Sequence, residues 1–488
     1  MMSLSEAAQA LGCELIGGDI RFTAVSSDSR TINAGNLFVA LQGEHFDGTT
    51  FVADACKNGA VAALVSGESY RNIEPPCPLL LVEDARLALG RLAAYWRSRF
   101  SIPMVAVTGS NGKTTVKEML ADVLRAATAD DGAVLATLGN LNNDIGVPLT
   151  LLKLRAEHRY AVIEMGMNHA GEIEYLTGLT RPDIAIITNA GSAHLAGLGS
   201  VEAVARAKGE ILTGLSSRGT AILNADDIHE PLWRGLVKER ALIEFGLGSG
   251  AAVHAQWQEK NNGMHMEVSV PHDRFDVQMK VLGEHNVLNA MAATAAALAL
   301  KVSLLAIKTG LEKFSGVAAR LQFKDALHGA TLIDDTYNAN PASLYAALNV
   351  LTRRSGKKIL VLGDMGELGD DGVRLHSEIG ADIRRFGVGK LLALGKLTSY
   401  AVDAFGVGAS HFERIEDLLG VLDEDLDASS TVLVKGSRFM RMERVVQYCT
   451  KFNQSEERGG KKKDKVVTQA ASAFVGHPTV VDRGNNAT

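Results

Sequence analysis

The chain is 488 residues long, enough for about three domains at roughly 150 residues each. Hydrophobic residues make up 46% and charged residues 22%, which excludes a disordered or fibrous protein, and the net charge of -6 gives no footprint for nucleic acid. The four cysteines (Cys13, Cys56, Cys77, Cys449) lack CxxC spacing and read as free or buried thiols of a reducing compartment.

The N-terminus has no basic segment followed by an apolar one, so no secretory signal is expected. The longest apolar run, 290–300, falls far short of the roughly 20 residues of a membrane helix and reads as an Ala-rich core helix. A cytoplasmic protein without membrane insertion is therefore expected.

In chain order, the first 85 residues alternate short strand-like and helix-like pieces, with turns at Gly17-Gly18 and Ala34-Gly35-Asn36. Pro75, Pro76 and Pro78 interrupt this pattern and mark the edge of a small α/β domain. A helix over 85–99 leads into a strand over 102–108. Apolar strands follow at 160–165, 184–187 and 220–223 with amphipathic helices between them, which predicts a parallel sheet covered on both faces. A second alternating series begins near 331, with further strands at 358–363, 390–395 and 431–436. The expected domains are 1–85, 86–315 and 316–452, followed by a disordered tail over 453–488.

The strongest motif is TGSNGKTT, Thr108 to Thr115, between that strand and a helix with apolar residues at Val116, Met119, Leu120, Val123 and Leu124. Gly109 and Gly112 let backbone N–H groups of the loop, Ser110 and Asn111 included, curl around phosphate oxygens at a helix N-terminus. Lys113 would reach the terminal phosphates of ATP, and the Thr114 hydroxyl would bind Mg²⁺. The general phosphate-loop pattern asks for glycine where this chain has Val107, and the alternative is a glycine-rich turn without ligand. The strand–loop–helix context favours the nucleotide.

Three further residues are ambiguous by themselves. Glu164 ends an apolar strand, where ligand-facing groups of open α/β sheets gather, but also where an ordinary strand-end acid sits. His194 lies in a loop, and imidazole is not a favoured Mg²⁺ ligand. Lys208 falls in a helix expected over 201–215, where most lysines are solvated.

The motifs together resemble the Mur ligases. The pieces in order are DSR at 28–30, TGSNGKTT at 108–115, NLNNDIGVP at 140–148, IEMGMNHAGEI at 163–173 and TNAGSAHL at 188–195. They continue with RAKGE at 206–210, LNADD at 223–227, GEHNVLNAMAA at 283–293, DDTYNANPAS at 334–343, LGDMGELG at 362–369 and KGSRFMR at 435–441. NNDIGVP, EMGMNHAGEI and LGDMGELG are similar to the member that adds D-alanyl-D-alanine to UDP-N-acetylmuramoyl-tripeptide.

The resemblance implies three domains, with a small α/β unit, a central P-loop sheet and a Rossmann-like C-terminal unit. It implies an ATP- and Mg²⁺-dependent ligase acting as a monomer through an acyl phosphate. By position, Lys113, Thr114 and Thr115 would hold phosphates and a metal, and Glu164 and His194 a second Mg²⁺. Lys208 matches a lysine that the family carbamylates. Asn286 and Asn289 would face adenine, Arg320 the transferred phosphate, and Asp335, Tyr337 and Asn338 the nucleotide from the third domain. Ser27, Asp28, Ser29 and Arg30, with Phe46, Asp47 and Gly48, match the uridine diphosphate end, and Asn142 and Asn143 the passing muramoyl peptide. Competing readings are a nucleotide switch, suggested by Asn224-Ala225-Asp226-Asp227 but lacking the NKxD lysine, a sibling ligase adding one amino acid, a folate or polypeptide ligase, and an inactive scaffold.

Overall fold

The computed structural model describes residues 1–43, 46–67, 75–260 and 263–451. The expected tail at 453–488 lies outside them. The described residues form an α/β protein built on three main sheets in chain order.

The first sheet has five strands in the order Glu14–Ile16, Leu79–Val82, Ala60–Ser66, Asn36–Val39, Ala24–Ser26. All neighbours are parallel except the first pair. Asp84 ends this unit by capping the helix Ala85–Arg97, accepting from the N–H groups of Arg86 and Leu87 at 2.7 and 2.9 Å.

The second sheet is wholly parallel, with six strands in the order Val134–Ala136, Tyr160–Glu164, Met104–Thr108, Ile184–Ile187, Thr220–Asn224, Ala241–Phe245. Met104–Thr108 sits inside the sheet, so the loop after it opens where the strand order changes direction, the usual ligand crevice of such sheets. The helix Lys113–Thr128 follows, and Val116, Met119, Leu120, Val123 and Leu124 are all fully buried, as their spacing predicts. The Ala-rich run lies in the helix Glu284–Ala299, buried along most of its length. The helix expected over 201–215 is shorter, Val201–Gly209, and continues as a single tighter turn over Glu210–Leu212. A three-stranded antiparallel sheet, His254–Lys260, Gly263–Val270 and Asp273–Met279, has no counterpart in the expected elements.

The third sheet runs Gln322–Asp325, Thr331–Asp335, Ser430–Lys435, Lys357–Gly363, Lys390–Leu394, Ala409–Phe412. Only the first pair is antiparallel.

Strand alternation splits the second sheet between two cores. Val105, Val107 and Val162 join one buried cluster with Leu344, Leu348 and Leu360 of the third unit. Met104, Ala106, Ala161 and Ile163 join another with Leu37, Leu64 and Leu80 of the first.

Cys56 and Cys77 are not free thiols: they form a disulfide, Cα to Cα 6.3 Å, while Cys13 and Cys449 are free. Both lie on one flank of the first sheet, packed against the cluster around Phe38 and Val52, a proximity made by folding and invisible in their spacing. Among the described residues no helix is long and apolar enough to cross a membrane.

Candidate active site

The phosphate loop is braced before any ligand arrives. Gly112 opens the helix Lys113–Thr128 at φ +84°, where a Cβ would strike Asn289 Oδ1. At Gly109, φ +153°, a Cβ would run into the Thr188 hydroxyl. The segment after the strand Ile184–Ile187 supports the loop from behind. Asn189 Oδ1 accepts from Asn111 N–H at 2.9 Å, Thr188 Oγ1 donates to Asn111 O at 2.6 Å, and Gly191 N–H donates to Ser110 Oγ at 2.9 Å. Lys113 folds back over the loop, donating to Gly109 O at 2.5 Å. Thr108 is turned into the sheet, its hydroxyl donating to Met165 O at 3.0 Å.

This loop floors a cavity of about 480 Å³ between the second and third sheets, within the range of small-molecule sites. Its walls include Asn142, Asn143, Glu164, His194, Asn286, Asn289, Arg320, Asp335, Tyr337 and Asn338. Residues far apart in the chain thus meet in one cleft.

Glu164 is 1% exposed at the end of its strand. Its Oε1 accepts from Asn142 Nδ2 at 2.8 Å, its backbone N–H donates to Thr137 Oγ1 at 2.9 Å, and its Oε2 has no partner. A buried carboxylate oxygen without a donor is costly, and it suits a hard cation such as Mg²⁺. Among the described residues no three His, Cys, Asp or Glu side chains gather as a metal cluster, so Glu164 and His194 do not complete a ligand set unaided.

Arg320 enters from the third unit. Its Nη2 donates to Thr114 Oγ1 at 3.0 Å, its guanidinium lies 4.0 Å from the Tyr337 ring centroid, and its buried Nε has no partner. Asp335 is held by Lys435, whose Nζ reaches Asp335 Oδ2 at 2.5 Å and Asn338 O at 2.9 Å.

Lys208 lies behind the cleft and is 1% exposed. Burial, and then the charge of Lys113, push its ammonium well below the ordinary lysine range. Lys113, deep in the cleft floor, is also pushed down, chiefly by burial.

The first-unit residues do not reach the cleft. Asp28 and Arg30 pair with each other at 2.8 Å, Ser29 O accepts from Asn58 Nδ2 at 3.1 Å, and Ser26 Oγ accepts from Asp28 N–H beside Ser27. Asp47 caps the turn Gly48–Phe51 after the short strand Phe46–Asp47. Four residues went unassigned in the sequence although they shape the cleft: Asn189, Asn340, Glu367 and Lys435. Asn340 Nδ2 donates to Asn111 Oδ1 at 2.9 Å, tying the third unit to the phosphate loop. All four stand inside quoted motifs, which is the signal the sequence offers for them.

Family models match in sequence: the Mur ligase family catalytic domain over residues 21–97, the Mur ligase middle domain over 107–297, and the Mur ligase glutamate ligase domain over 319–438. The chain is 41% identical to the UDP-N-acetylmuramoyl-tripeptide–D-alanyl-D-alanine ligase of Escherichia coli (strain K12), covering 91% of this chain and 98% of that one. The chain belongs to the Mur ligase family. Within this family it is also 36% identical to the ligase of the same name from Bacillus subtilis (strain 168), over 87% of this chain and 92% of the relative. Among solved Mur ligases, MurF from Acinetobacter baumannii superposes with a TM-score of 0.84 at 38% identity, covering 91% of this chain and 97% of that one. MurF ligase from Thermotoga maritima, solved in complex with ADP, gives 0.78 at 27% identity, covering 89% and 98%.

Proposed function

We propose that this Mur ligase joins D-alanyl-D-alanine to UDP-N-acetylmuramoyl-tripeptide at the expense of ATP, giving the pentapeptide precursor of peptidoglycan. The observation that carries the reading is a single cleft that holds a braced phosphate loop, Glu164 with an unpartnered carboxylate oxygen, and Arg320 delivered by the third unit.

The division of labour follows the chain. Residues 1–85 hold the uridine diphosphate end through residues 27–30 and 46–48, residues 86–315 hold ATP, and residues 316–452 close over both. Asn286 and Asn289 border the adenine end, and Asp335, Tyr337 and Asn338 face the nucleotide from above. Asn142 and Asn143 place the tripeptide beside the γ-phosphate.

The tripeptide carboxylate attacks the γ-phosphorus, the bond to the β-phosphate oxygen breaks, and ADP leaves. The dipeptide amine then adds to the acyl phosphate carbonyl, and collapse of the tetrahedral intermediate expels phosphate. Lys113 and Arg320 offset the negative charge that develops on the transferred group. Closure of the third unit keeps water from the acyl phosphate. Thr114, Glu164 and His194 are the residues suited to hold Mg²⁺, which would neutralise phosphate charge when bound. A carbamate on Lys208 supplies the missing anion. Burial favours the neutral amine, which adds to CO₂ and releases one proton, turning a cation into a carboxylate-like group.

The test is phosphate release from ATP with UDP-N-acetylmuramoyl-tripeptide, with and without D-alanyl-D-alanine. Release that needs both, with the UDP-pentapeptide seen by mass, is expected. Release with a single amino acid in place of the dipeptide would assign the chain to a sibling activity.

A further inference from the structure

The loop after the strand Lys357–Gly363 runs Asp364, Met365, Gly366, Glu367, and the reaction above assigns it no role. The neighbouring strand end fixes its backbone: Gly366 N–H donates to Ser437 Oγ at 2.8 Å and Ser437 N–H donates to Asp364 O at 3.0 Å. Glu367 then turns through φ +61°, a left-handed state for a residue that carries a Cβ. In that pose its carbonyl accepts from Ala196 N–H at 3.2 Å, and its carboxylate Oε2 lies 2.8 Å from His194 Nδ1. The ring nitrogen and the carboxylate oxygen are within contact distance but out of line for a full hydrogen bond, and they carry opposite charges only when the ring is protonated.

His194 is left-handed as well, at φ +60°. Two residues in a costly backbone state therefore face each other across the cleft from different sheets, and each persists only because its surroundings impose it. The His194 side chain is 18% exposed and that of Glu367 55%, so the acid is the more accessible partner. The carboxylate that meets His194 Nδ1 thus comes from the third unit, while the histidine itself belongs to the middle one.

A histidine that gives one ring nitrogen to a metal is oriented by whatever its other nitrogen meets, most often a carboxylate. We infer that Glu367 is a positioning residue: carried in by the third unit, it sets the ring of His194 and makes metal binding in the middle unit conditional on docking. This rests on the reading of His194 as a metal ligand given above. A salt bridge that only glued two loops would affect docking and leave metal affinity alone.

The experiment is Mn²⁺ titration by electron paramagnetic resonance on the full chain with a non-hydrolysable ATP analogue and UDP-N-acetylmuramoyl-tripeptide. It compares wild type, Glu367→Ala, Glu367→Gln and His194→Ala. Glu367→Ala is expected to weaken one Mn²⁺ site by about 10- to 100-fold. Glu367→Gln, which keeps an oxygen beside the ring without the charge, loses less, and kcat falls in the same order while KM for the UDP substrate holds. If His194→Ala loses the site but Glu367→Ala binds Mn²⁺ as wild type does, the inference is overturned and the ligand reading stands. If His194→Ala also binds as wild type, the ligand reading itself fails and takes the inference with it.

Discussion

Arg320 and Thr114 are 206 residues apart in the chain, yet Nη2 of the first donates to Oγ1 of the second at 3.0 Å. The hydroxyl that would take a metal and the guanidinium that would take a phosphate thus occupy each other. One small shift would release both groups for ATP, and the Arg320 Nε is already free to donate.

Replacing Arg320 with alanine should therefore lower kcat by roughly 10²- to 10³-fold, the loss seen when one donor to a developing anion is removed. Arg320→Lys should recover only part of this, because an ammonium lacks the planar fork that meets two phosphate oxygens side by side. Steady-state phosphate release decides it, and an alanine variant within a few-fold of wild type would remove Arg320 from the mechanism.

Lys208→Ala should be nearly inactive and should regain activity when a short carboxylic acid such as acetate is supplied. The acid would fill the space and restore the anion that a carbamate provides. The measurement is turnover against acid concentration. Full activity of Lys208→Ala at low CO₂ would end the carbamate proposal.

Lys117 makes a structural prediction. Its side chain is fully buried, with Nζ 2.5 Å from Thr137 O and 2.6 Å from Glu118 Oε1. Thr137 in turn accepts from the backbone of Glu164. Lys117→Ala leaves a cavity and a buried carbonyl without its donor, which should cost about 3 kcal/mol. Urea unfolding with an unchanged midpoint would contradict the packing described.

His285 carries the pH prediction. Dense protein surrounds it although one edge meets the cleft, and burial pushes its imidazole down to about 4 against the attraction of Asp335. The unfolded chain takes up this proton near pH 6.5, so stability is complete above that pH and falls as pH drops toward 4. Between about pH 7 and 5 the loss is at most about 2 kcal/mol. In a His285→Asn variant the fall in unfolding midpoint over that interval should be smaller than in wild type. An identical fall would mean another group carries the acid sensitivity.

Much of this was legible in the chain because the parallel strands are buried on both faces. Such strands print themselves as short apolar runs, and those at 184–187 and near 358–363 lie where the runs lie. The antiparallel strands His254–Lys260 and Gly263–Val270 have one wetter face, and polar residues such as Gln256, Gln258 and Glu267 dilute the signal. In the cleft, the phosphate loop was readable because its chemistry is local. Asn340 on Asn111, Lys435 on Asp335 and Glu367 on His194 each join segments from distant parts of the chain. No spacing rule reaches that far. Cys56 and Cys77 are only 21 residues apart, but their spacing matches no pairing motif, so the disulfide is visible only in the fold.

The splitting of the second sheet between two cores has a mechanical consequence. Among the described residues the outer units share no buried cluster, and the middle unit stands between them. News that the sugar nucleotide has arrived cannot pass between them by direct repacking. It has to be relayed through the middle unit, or carried by the substrate chain itself as it threads the cleft, and the second route makes the order of assembly a property of the cargo.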